Sequence, residues 1–170
     1  HIRHNDYNSS LLLKYVDHSS NNTGNGINET VITLKDDKYP VTVKLHYVAY
    51  DKENIIRTFT EISHEEKKPV ILSKYASSML HLNSSKYFLT EFSGDWAHEA
   101  NVTERELAFG KKVIDTKLGA RANMFVSPFF QLALDNPSQE NAGEVLVGTI
   151  GWTGNFRFTF EVDNKNELRI

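Results

Sequence analysis

Cysteine is absent from the 170-residue chain. That absence removes disulfides, thiolate metal ligands and cysteine nucleophiles together, without fixing a compartment, because exported proteins also do without cysteine. Proline is scarce, at four residues, and glycine numbers only nine, and the sequence shows no internal repeat, linker or low-complexity segment. No apolar run is long enough to span a bilayer, mean hydropathy is −0.45, and no membrane partner is expected. An excess of one charge is lacking too: 19 Lys and Arg stand against 22 Asp and Glu, mixed along the chain. The resulting net charge of −3 offers no long-range attraction to phosphate backbones, and no nucleic-acid partner is expected. The opening residues lack a methionine and the basic and apolar stretches of a signal peptide. Both ends are therefore expected to be cuts from a longer parent, with His1 and His4 as native sequence entering a strand.

What the chain has is period-2 alternation. Val41, Val43, Leu45, Tyr47 and Ala49 alternate with Thr42, Lys44 and His46, as a half-buried strand requires. The same pattern predicts strands over 10–16, 29–34, 41–49, 55–64, 70–80, 87–93, 102–107, 111–116, 129–134, 144–151 and 156–162. Residues 74–82 also admit a helical reading. Turn-forming residues fall between these segments, at 22–26, 36–38, 83–85, 136–138 and 141–143, and Thr153, Gly154 and Asn155 read as a tight hairpin. Eleven short strands with little helix predict an all-β, mostly antiparallel β-sandwich. At this length a single domain over 1–170 can bury roughly 68–70% of its unfolded surface.

Catalytic signals are weak. Glycoside hydrolysis needs two carboxylates flanking the scissile bond; Asp95 with Glu99 and Glu104 with Glu106 are the nearest pairs, and both also read as solvated loop or strand carboxylates. His1, His4 and Asp6 could grip a metal, or simply belong to a flexible terminal segment, and the latter is expected; metal ligands and cofactors are both expected to be none. Gly148, Gly151 and Gly154 lie in a strand and hairpin rather than ahead of a helix, so they make no phosphate cradle. Trp96 stands out, in a stretch where Gly94 and small residues break the alternation. A loop indole beside Asp95 could offer its face to a sugar ring; a buried packing tryptophan is the competing reading. Trp152 reads as core or sheet surface.

Residues 87–96 (YFLTEFSGDW), 111–128 (KKVIDTKLGARANMFVSP) and 142–163 (AGEVLVGTIGWTGNFRFTFEVD) resemble, in order and content, the N-terminal domain of bacterial family 36 glycoside hydrolases of the α-galactosidase type. The resemblance covers most of the chain, 39–69 included. It implies a supersandwich of the galactose-mutarotase type and a retaining parent enzyme that acts on terminal α-galactosides. It also implies that the catalytic aspartates sit in a (β/α)8 barrel following this domain, so that the chain holds no catalytic residue. In the family, the glycine–x–tryptophan segment lies near the barrel mouth, which implies a substrate contact for Trp96 with Asp95 as its neighbour. Ser127, Pro128 and Phe129 stand where relatives have Asn-Pro-Phe. Implied partners are a galactoside oligosaccharide, the barrel and further copies in a homo-oligomer, in a periplasmic or cytoplasmic setting. The alternative function is a free-standing carbohydrate-binding module, and a third is an adhesive sandwich.

Overall fold

A computed structural model of the chain describes residues 1–122, 124–152 and 154–170. It is all-β and antiparallel, with one short 3-10 turn at Gly119–Arg121. Two compact units divide the chain, His1–Ser78 and Met79–Ile170.

In the first unit, β2 (Leu13–Gly24), β3 (Ile27–Asp36), β4 (Val41–Tyr50) and β5 (Ile55–His64) form a four-stranded meander in chain order. A second, two-stranded sheet pairs β1 (Ile2–Arg3) with β6 (Ile71–Leu72). The β2–β3 turn needs three successive positive φ angles, at Gly24 (86°), Asn25 (56°) and Gly26 (80°), which glycine and asparagine tolerate best. The small core is Ile2, Val41 and Val43, flanked by Leu11, Leu13, Leu34, Tyr39, Leu45 and Val70. Instead of a flexible terminal segment, the structure shows His4 buried: its ring stacks on Tyr39 at 3.6 Å and 7°. His4 Nδ1 meets Glu66 Oε1 at 2.6 Å, and Nε2 meets the Ser10 carbonyl at 2.9 Å. A stacked ring with both nitrogens engaged costs little to bury.

The second unit is a sandwich of two four-stranded sheets. One runs β12 (Glu144–Thr149), β11 (Val126–Leu134), β8 (Tyr87–Ser93), β9 (Asn101–Glu106); the other runs β10 (Gly110–Thr116), β13 (Phe156–Val162), β14 (Glu167–Arg169), β7 (His81–Asn83). Alternating residues meet between the sheets: Tyr87, Leu89, Phe130 and Leu132 from the first, Ile114, Phe156, Phe160, Val162 and Leu168 from the second. Phe130 sets its edge to Phe158 at 5.0 Å and to Phe160 at 4.9 Å, the T-shaped arrangement aromatic quadrupoles favour. Pro128 falls in the irregular register between Val126 and Phe130, where a missing N–H is tolerated.

Three expectations are corrected. The strand over 70–80 shrinks to Ile71–Leu72, because only the two residues of β1 pair with it; no helix forms over 74–82. The edge strand β2 runs on through the polar residues 17–23, where alternation is missing. Trp152 lies beyond the end of β12 and is 64% exposed, not part of the core or a sheet. In the 153–155 hairpin, Thr153 lies outside the described residues.

Among the described residues no helix is long and apolar enough to cross a membrane.

Candidate functional site

Trp96 sits at the tip of the β8–β9 connection. Strand β8 ends at Ser93, paired with Asn101 of β9 and with Val126 of β11, and the seven residues between Ser93 and Asn101 must reverse the chain. Gly94 starts the reversal: its N–H donates to the Phe125 carbonyl at 3.0 Å. A β-carbon there would stand 2.9 Å from Glu99 Cα and 3.1 Å from the His98 carbonyl oxygen, so only glycine fits without moving backbone. Asp95 N–H donates to His98 O at 3.1 Å and His98 N–H to Asp95 O at 2.9 Å, closing a loop with Trp96 and Ala97 at its tip.

The remaining polar groups of the loop hold that shape. Asp95 Oδ1 accepts the Trp96 N–H at 2.7 Å, Glu99 Oε1 accepts the Ala97 N–H at 3.3 Å, and Asn101 Nδ2 donates to the His98 carbonyl at 2.7 Å. Ala97 and Ala100 take φ of 60° and 57°, a left-handed geometry that costs an alanine roughly 1–2 kcal/mol. Strain of this kind is kept where surrounding bonds over-determine the backbone. The indole at the loop's tip is 86% exposed to solvent, so Trp96 is not part of the core of this chain.

The carboxylates of the two candidate pairs are engaged within the chain. Asp95 and Glu99 each accept a backbone N–H of their own loop. Glu104 Oε2 accepts the Thr90 hydroxyl and the Ser138 N–H, both at 3.2 Å, and Glu106 pairs with Lys86 at 3.3 Å. Among the described residues no cluster of three or more metal-ligating side chains occurs. His4 faces Glu66, and His46 lies 3.0 Å from Glu29 and 3.7 Å from Glu61. Pro128 is used through its backbone, accepting the Thr149 hydroxyl at 2.9 Å and the Ile150 N–H at 3.2 Å. In the first unit a groove of about 370 Å³ is lined by Ile62, Leu72, Tyr75 and hydroxyl residues; it holds no ionisable carboxylate or imidazole to do chemistry.

The sequence singles out Trp96, Asp95 and the break at Gly94, and the structure places all three in this one loop. The sequence does not single out Ala97 and Ala100 as shaping residues, since alanine carries no preference for positive φ that could have signalled them.

The comparisons with known proteins agree with this architecture. The chain is 29% identical over 140 residues to alpha-galactosidase 2 of Pediococcus pentosaceus, covering 82% of this chain and 19% of that protein. It is 27% identical over 148 residues to probable alpha-galactosidase G of Aspergillus terreus, covering 86% and 20%. The chain thus spans about a fifth of the length of these curated relatives. Its fold is shared with GH36 alpha-galactosidase AgaA of Geobacillus stearothermophilus, with a TM-score of 0.81 at 23% identity, covering 99% of this chain and 25% of that one. The alpha-galactosidase of Lactobacillus brevis gives a TM-score of 0.82 at 22% identity, covering 99% and 24%. All 170 positions, residues 1–170, match the family described as the glycosyl hydrolase family 36 N-terminal domain, and the chain belongs to that family.

Proposed function

We propose that this chain is the non-catalytic N-terminal domain of an α-galactosidase, acting on terminal α-galactosides through a (β/α)8 barrel that follows it in the same polypeptide. In this reading the two aspartates of a retaining mechanism belong to the barrel. The domain braces the barrel, shares in the contacts of a homo-oligomer, and supplies Trp96 as one wall of the sugar pocket, with Asp95 beside it. The observation that carries the pocket role is the presentation of Trp96: a loop that strains two alanines and commits Asp95 and Glu99 to its own backbone leaves an indole face open. An open indole suits the apolar C–H face of a galactosyl ring. Asp95 acts here as a positioning residue, since its Oδ1 fixes the Trp96 backbone.

The test is Trp96→Ala in the full-length polypeptide, with turnover of an aryl α-galactoside as the readout. A raised KM or lowered kcat is expected, and unchanged values of both remove Trp96 from the pocket.

The second reading, a free-standing carbohydrate-binding module, is favoured by the exposure of both Trp96 and Trp152. It requires the chain alone to bind galactosides, seen as a change in tryptophan fluorescence. Half a pocket binds weakly or not at all, so the α-galactosidase reading expects no such change.

A further inference from the structure

Strand register gathers three connections at one end of the second unit. β8 stops at Ser93 opposite Val126 of β11, and β12 stops at Thr149 opposite Phe129 of β11. In the other sheet Thr116 of β10 lies opposite Phe156 of β13. Hence the loop bearing Trp96, the crossing from β10 to β11 and the crossing from β12 to β13 all leave the sandwich at the same end. Two hydrogen bonds stitch them: Gly94 N–H to the Phe125 carbonyl at 3.0 Å, and Gly119 N–H to Asn155 Oδ1 at 2.8 Å. The two tryptophans of the chain therefore stand on linked loops, 86% and 64% exposed.

Trp152 is seated as well as exposed. A β-carbon on Gly154 would come 2.5 Å from Trp152 Nε1, 2.9 Å from Cε2 and 3.1 Å from Cζ2. The indole therefore lies close against the bare Cα of Gly154, while Trp152 as a whole stays 64% exposed. A flat aromatic surface with an N–H at its edge, among the polar groups of these loops, suits a sugar better than an apolar protein face.

We propose that Trp152 is a second sugar-contact residue, taking a ring of the oligosaccharide beyond the galactosyl unit held at Trp96, with Gly154 as the positioning residue that seats it. The proposal rests on the reading of Trp96 as a sugar contact. It makes the substrate class an oligosaccharide with a terminal α-galactosyl group, and makes Trp152 a determinant of chain length rather than of galactose itself.

The test compares a trisaccharide ending in an α-galactosyl unit with an aryl α-galactoside, using the full-length polypeptide and its Trp96→Ala, Trp152→Ala, Trp152→Phe and Gly154→Ala variants. Trp152→Ala is expected to lower kcat/KM for the trisaccharide by about tenfold, the equivalent of one aromatic contact, mainly through KM, while the aryl substrate is little changed. Trp152→Phe should restore part of the loss. Gly154→Ala should reproduce it, because the new methyl displaces a ring that can swing away without unfolding the loop. Trp96→Ala should slow both substrates. If Trp96→Ala slows both and Trp152→Ala slows neither, the role of Trp152 is overturned and that of Trp96 stands. If Trp96→Ala slows neither, the underlying reading falls and this proposal with it. A Trp152→Ala variant that slows both substrates equally and melts earlier would place a protein surface on Trp152, which also overturns the proposal.

Discussion

The ring of Phe130 lies across Gly148 on the neighbouring strand, so closely that a β-carbon on Gly148 would stand 2.2 Å from Phe130 Cζ and 2.3 Å from Cε1. The two residues are direct partners in the β11–β12 ladder, and Phe130 is 3% exposed, locked edge-on against Phe158 and Phe160. Gly148 is thus the space into which the central aromatic of the sandwich packs.

Replacing Gly148 with alanine forces that ring out of a filled core, an overpacking cost of about 1–3 kcal/mol. Urea unfolding should show a lower midpoint with an unchanged slope. A midpoint equal to that of the natural chain would mean the ring has room that the structure denies it.

Tyr87 is fully buried, yet its hydroxyl is fully used: it accepts the Ser84 N–H at 2.9 Å and faces the carbonyls of Leu82 at 3.0 Å and Asn166 at 2.9 Å. Tyr87→Phe keeps the ring and strands those backbone groups. A loss of about 1–3 kcal/mol is expected, read from the thermal midpoint, and a neutral effect would show that water replaces the hydroxyl.

Several carboxylates are held below their ordinary range by hydrogen bonds made only in the folded chain. Asp135 accepts the Ser84 hydroxyl, the Ser85 hydroxyl and the Ser85 N–H; Asp163 accepts the N–H groups of Glu167 and Lys165. For Glu66, burial pushes the carboxyl up, but the Asn5 N–H and His4 outweigh it and the net shift is downward. A depressed folded pKa favours the folded state above the unfolded value, near 4 for a carboxylate, and that contribution disappears as pH falls through the folded pKa. Urea midpoints should therefore hold steady above about pH 5 and decline below about pH 4. Asp135→Asn should start lower at neutral pH and decline less steeply; an equally steep decline would clear Asp135 of any part in acid unfolding.

Alternation located β5, β8 and β13 to the residue; in β8 and β13 the pattern records burial against the facing sheet, whereas β5 keeps the alternation although nearly all of it is exposed. It failed where pairing alone makes the strand. The far half of β2, with Asp17, His18, Ser19, Ser20, Asn21 and Asn22, is exposed on an edge and held by its ladder to β3; no apolar period marks it. β7 and β14 are three residues each, too short to display a period, and pair chiefly through Leu82 and Leu168.

At the candidate site, the residue types at 94–96 were legible because glycine interrupts a strand pattern beside an indole. The left-handed alanines were not, nor was the exposure of Trp152. In sequence Trp152 continues the spacing of β12, and only the end of pairing at Thr149 releases it from the sheet.

The most direct measurement is hydrolysis of an aryl α-galactoside by the 170-residue chain and, in parallel, by the full-length polypeptide that carries it. The account predicts turnover by the full-length polypeptide and none by the chain alone at any concentration, since it assigns both catalytic aspartates to the barrel. Release of galactose by the purified chain would contradict it.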